Sequence, residues 1–114
     1  MNPIKKKAAA IIKEEAKKGM VYLEPGSACA KALKGLDIDA ILEDDVSRIC
    51  DELSMGETMR FISLVAQFKM ASGDKQKVIK KELRQTAERV VDRVEKKTGK
   101  LKIPDPCRHF VLNL

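Results

Sequence analysis

Four side chains in this 114-residue sequence have the chemistry of nucleophiles or metal ligands: Cys29, Cys50, Cys107 and the single histidine, His109. A Cys–His pair makes a thiolate nucleophile when the imidazole takes up the thiol proton. Cys107 and His109 are two residues apart, so an extended segment would turn them to one side. No nearby group is placed to orient the imidazole, and neither a glycine-rich phosphate loop nor a G-x-S-x-G turn occurs. Three cysteines and one histidine also total a Cys3His zinc set. Structural zinc sites usually contain a close pair such as C-x2-C, which is missing here. The expectation is a non-enzymatic protein with no metal and no cofactor. Cys50 falls on an apolar helix stripe and Cys29 in a small-residue helix, both packing positions. An odd cysteine count without framework spacing points to free thiols and a reducing, cytoplasmic setting.

Charge is the more informative chemistry. The net charge is +6, but it is unevenly placed. Residues 1–35 carry +5, residues 36–57 carry −7 and residues 58–114 carry +8. This pattern suits internal pairing, head-to-tail association, or a basic face for an anionic polymer. Within it, Lys75, Lys77, Lys80, Lys81 and Arg84 crowd the start of one helix, with Asp74 and Glu82 the only acids among them. Cations there oppose the helix dipole, and the Lys77–Lys81 and Lys80–Arg84 pairs repel at i,i+4. A locally unfavourable arrangement invites an outside counter-charge, and phosphate is one. The expected nucleic-acid contacts are Lys77, Lys80, Lys81 and Arg84, with Lys5, Lys6 and Lys7 near the start of the chain. Phe61 and Phe68 read as buried, leaving Tyr22 and Phe110 as the aromatics that could stack on bases. Contact should therefore be to the phosphate backbone of nucleic acid or of a nucleoprotein assembly.

The acidic segment supports a second reading. Asp44-Asp45 and Asp51-Glu52 fall on the expected exposed side of a helix over 38–53. Adjacent helix residues do not face each other, so they are not an acid–base pair. Asp44, Asp45 and Asp51, with Phe110 and Leu112 of an apolar tail, could instead dock a partner or a second copy as a homodimer. Residues 49–55 also resemble the first helix and turn of a helix-turn-helix. The next helix breaks that pattern, because Arg60 and Ser63 would stand where apolar residues must pack.

The elements that position these groups are helical. Asn2-Pro3 starts a helix that Gly19 should stop, with Ile4, Ala8, Ile11 and Ile12 as its apolar stripe. Lysines cover its outer side, and its apolar side lacks Trp, Phe and Leu, so it is not expected to lie on a membrane. Met20–Leu23 reads as a short strand or plug before a Pro25-Gly26 type II turn. Ser27 caps a helix over 28–34, and Asp37 caps one over 38–53 with inward Ile38, Ile41, Leu42, Val46, Ile49, Cys50 and Leu53. Ser54-x-x-Glu57 is a capping box opening 55–70. That stretch is apolar almost all round and so is expected to be the buried central rod. A last helix over 75–98 ends at Gly99. Pro104 and Pro106 forbid a helix in an extended tail over 100–114. The fold expected is a single all-α domain over 1–114, a compact bundle of four to five helices. A two-stranded pairing of 20–23 with 109–113 could complete it. No signal peptide and no run of ~18 apolar residues for a membrane span is found.

Overall fold

A computed structural model describes residues 2–112, with side-chain surroundings through Phe110. Four helix starts form as their local sequences dictate. Asn2 accepts from the Ile4 amide at 2.8 Å, with Pro3 in the first turn, and opens α1 (Pro3–Val21). Ser27 accepts from the Ala30 amide and opens α2 (Ala28–Leu33). Asp37 accepts from the Ala40 amide and opens α3 (Ile38–Glu52). Ser54 and Glu57 exchange hydrogen bonds in a full capping box, at 3.1 and 2.9 Å, and open α4 (Met55–Met70). Such caps are each worth about 1 kcal/mol because they satisfy amides that lack an intrahelical partner. A fifth helix, α5 (Gly73–Thr98), follows, and Gly99 at φ 97° ends it in the left-handed conformation that glycine adopts without strain.

The fold is all-α, and no strand occurs among the described residues. The organising element is α1, which packs against α3, α4 and the last helix, α6 (Arg108–Leu112). Its inward residues Ala8 and Ala16 are fully buried and Ile12 nearly so. Small side chains let three helices approach one another around it. Leu42, Val46, Ile49 and Leu53 from α3, Phe61, Leu64 and Val65 from α4, and Ile79, Leu83, Val90, Val91 and Val94 from α5 complete one apolar cluster.

Several expectations are corrected. The helix over 55–70 is a wall and not a rod: Phe61 and Leu64 are buried, but Met59 is 55% and Met70 88% exposed. Counting apolar residues overstated its burial, because flexible Met side chains tolerate a half-wet surface. Gly19 does not stop α1, which continues to Val21, so residues 20–23 form no strand. A Cβ on Gly19 would overlap the Phe110 ring, so this glycine is a seat for α6. The Glu24–Ser27 turn closes with a 3.0 Å backbone hydrogen bond. It is not type II, since positive φ among the described glycines occurs only at Gly35, Gly73 and Gly99. The tail is not extended either. Asp105–Cys107 makes a 3-10 turn leading into α6, so no ribbon joins 20–23 to 109–113, of which Asn113 lies outside the described residues. Pro106 sits in the first turn of this unit, where a missing N–H costs nothing.

Candidate nucleic-acid interface

The first three turns of α5 are held by Ile79 and Leu83, which are buried against α4 and the core. The Gln76 amide group donates to the Phe68 carbonyl at 3.2 Å and ties the start of α5 to the last turn of α4. Lys75 borders a groove of about 410 Å³ with Gln67, Met70, Ser72 and Ile79 at that junction. Anchored from below, Lys75, Lys77, Lys80, Lys81 and Arg84 all stand exposed. None makes an ion pair among the described residues, and Glu82 between them is taken by Arg60 of α4.

The acidic segment does not neutralise this ridge. Of its eight carboxylates, six form ion pairs, all with other cations. Asp39 pairs with Lys17 at 2.7 Å, and Glu43 with Lys13, joining α3 to α1. Asp44 pairs with Lys102, whose ammonium holds the Asp44 carboxyl below its ordinary range. Glu52 meets Lys97 at 3.1 Å, and Glu57 meets Arg93 at 2.9 Å. The Ser54 amide is the main reason the Glu57 carboxyl titrates low, and Arg93 adds to it. Asp37 is the α3 cap, and Asp51 is exposed with no ion pair among the described residues.

The far end of α5 is closed by the same means. Arg48 donates to Thr98 Oγ1 at 2.7 Å and to the Lys100 carbonyl at 3.0 Å, and it also reaches the Gly99 carbonyl. It thereby satisfies carbonyls that the helix end leaves without amide partners. Arg108 holds Glu95 with two hydrogen bonds of 2.9 Å. That fork is the main cause lowering the Glu95 carboxyl, with the Leu101 amide adding to it.

Comparison with protein-family models, curated proteins and solved structures finds no match. The placement of the candidate residues therefore carries the functional reading.

Lys77, Lys80, Lys81 and Arg84 are brought together as one ridge. Lys5, Lys6 and Lys7 are not part of it. Glu15 and Lys18 of α1 share a groove with Val65, Phe68 and Lys69 at the end of α4 where α5 begins. Lys7 precedes Lys18 by eleven residues, about 16 Å along a helix. Lys6 instead borders a groove with Val46 and Ser47 in the second half of α3, which leads into the start of α4.

The partner-binding candidates are placed differently from expectation. Asp45 does not face solvent. It is fully buried and accepts the Lys102 and Ile103 amides at 2.8 Å each, so it anchors the segment before α6. Asp44 is engaged by that same segment. Phe110 packs partly buried against Gly19, and the Leu112 side chain lies outside the described residues. Asp44 and Asp51 are exposed as expected, and of the three aspartates Asp51 alone makes no ion pair among the described residues.

The cysteines are also corrected. Cys29 and Cys107 are not free thiols: they form a disulfide across a sequence separation of 78, with Cα atoms 4.9 Å apart. Both are buried where α2 meets the 3-10 turn. Cys107 thus has no thiol to pair with His109, whose ring lies 3.9 Å from that of Phe110. Cys50 is free, and burial pushes its thiol up to about 11, keeping it protonated at neutral pH. No spacing rule relates Cys29 to Cys107, so the bridge left no signal in the sequence. Asp45 left one, since it continues the buried side of α3 beside Leu42, Val46 and Ile49.

Proposed function

We propose that this protein binds the phosphate backbone of nucleic acid, free or within a nucleoprotein assembly, through the first half of α5. One observation carries the reading: five cations stand exposed on three turns with no ion pair among the described residues, while six of the eight acids of the 36–57 segment pair with other cations. Lys77, Lys80, Lys81 and Arg84 supply the main contacts. Lysine approaches phosphate as a point charge, and Arg84 can donate two parallel hydrogen bonds. The side chains interleaved with them are Gln76, exposed Val78, buried Ile79 and Leu83, and Glu82. No aromatic ring stands among them for base stacking, so binding should follow charge and carry little sequence information.

The alternative, docking of a partner through the α3 acids and the chain end, has lost most of its proposed surface. Asp44, Asp45 and Phe110 are occupied within the chain.

Fluorescence anisotropy of a labelled duplex at low salt tests the proposal. Wild-type protein should bind, and K77E/K80E/K81E/R84E should bind at least about tenfold more weakly, since each phosphate contact contributes through counterion release. Equal binding by both proteins, or none by wild type at low salt, would overturn it.

A further inference from the structure

Lys5, Lys6 and Lys7 stand on the first two turns of α1, Lys6 and Lys7 exposed and Lys5 half-buried, beside the second half of α3 and away from the groove where Lys18 meets Leu83 of α5. They too make no ion pair among the described residues. Successive helix residues are a hundred degrees apart, so the three ammonium groups fan out around the tip of α1 and do not form a row. The surface between tip and ridge offers a polyanion little. On α1, Lys13 and Lys17 are held by Glu43 and Asp39, and Lys18 by Glu14 and Glu15. On α4, the exposed side includes Met59, Ser63, Ala66, Gln67 and Met70, and Arg60 there is held by Glu82; Lys69, exposed with no ion pair among the described residues, stands in the last turn beside Lys18 and Leu83 and extends the ridge side. Two basic surfaces are therefore set apart by the 11–13 residues of α1 that lead from Lys5–Lys7 to the groove at Lys18 and Leu83, about 16–20 Å along the helix, and the α1 lysines between them are paired.

We infer that the tip of α1 and the ridge of α5 are two distinct phosphate footprints, and that one molecule of this protein holds two nucleic-acid backbone segments at once. This rests on the α5 reading above and goes beyond it, from binding to bridging. The body between the footprints is rigid, because α1 is packed against α3, α4 and α6 and cannot swing its tip toward the ridge. With both footprints filled, the first segment sets a local concentration of protein at the second, so bridging should appear over a narrow protein range and vanish in excess protein.

A bead assay tests this. One short duplex is immobilised, protein is added, and capture of a second, fluorescent duplex is measured beside anisotropy on a single duplex. Wild-type protein should capture the second duplex. K5E/K6E/K7E should keep single-duplex affinity within about threefold while capture falls about tenfold. Acids in the first turn favour the helix dipole, so this variant should fold, and circular dichroism checks it. Wild-type binding without capture would overturn the inference and leave the α5 reading standing. Undiminished capture by K5E/K6E/K7E would also overturn it, since the link would then run through paired α5 ridges. Absence of any binding by wild type would remove the α5 reading, and bridging with it.

Discussion

From Lys75 to Arg84, α5 sets four lysines and an arginine into solvent with no ion pair among the described residues. From Arg93 onward, the same helix gives Arg93 to Glu57, Lys97 to Glu52 and Glu95 to Arg108, and Arg48 closes its end. The closed half pairs most of its charges within the fold, and the open half leaves its five cations without an ion pair among the described residues. The closed half sits among covalent and buried anchors: the Cys29–Cys107 bridge, and Asp45 beneath Lys102 and Ile103. The open half is anchored by apolar contact, the Gln76 bond and the Arg60–Glu82 pair to α4. Substitutions in the closed half should therefore move stability, and substitutions in the open half should move binding.

The largest effect should come from the bridge. Cys29→Ser, or reduction, frees a loop of nearly 80 residues, and the chain-entropy account gives about 4.5 kcal/mol for a closure of that length. Thermal unfolding with and without reductant measures it. An unchanged melting temperature would mean the clasped end is held by packing alone. Asp45→Ala should follow at about 3 kcal/mol, because it leaves two buried amides without acceptors. Denaturant unfolding reads that loss, and a change below 1 kcal/mol would sink the anchoring role.

Arg108→Ala should remove about 1 kcal/mol, and its signature is a pH profile. The folded-state pKa of Glu95 is lowered, chiefly by Arg108. Its contribution is therefore present above the unfolded value, about 4.3, and is lost as pH falls through the lower folded value. Wild type and R108A should converge in stability as the medium is acidified below pH 4, and a gap that persisted there would contradict the assignment. The smallest effect on stability should belong to K77E/K80E/K81E/R84E. Its change should stay within about 0.5 kcal/mol, with acids replacing cations that oppose the helix dipole.

What the sequence made legible was whatever is decided within four residues. The caps at Asn2, Ser27 and Asp37, the Ser54–Glu57 box and the Gly99 stop are all local hydrogen-bond or backbone preferences. The α5 ridge was legible for the same reason, as a run of like charges on adjacent turns. What failed was decided by distant chain. Gly19 looked like a stop because its other use, a seat for Phe110, lies 91 residues away. Asp45 looked solvated because its two amide donors come from the tail. Val78, apolar and next to buried Ile79, is nevertheless 66% exposed, since α4 covers Ile79 and leaves Val78 to one side. The Lys5–Lys7 run and the ridge were both expected to meet nucleic acid, and the eleven residues of α1 from Lys7 to the groove at Lys18 separate them.

The salt dependence of duplex binding tests the central claim most directly. With four or five phosphate contacts on α5, log Kobs should fall against log salt with a slope of about −4 in K5E/K6E/K7E, where the ridge is the footprint that remains, and shrink toward zero when K77E/K80E/K81E/R84E is added. It should stay unchanged when R93Q, in the closed half, is added instead. A slope that survived reversal of the ridge, or that tracked Arg93 instead, would contradict the account.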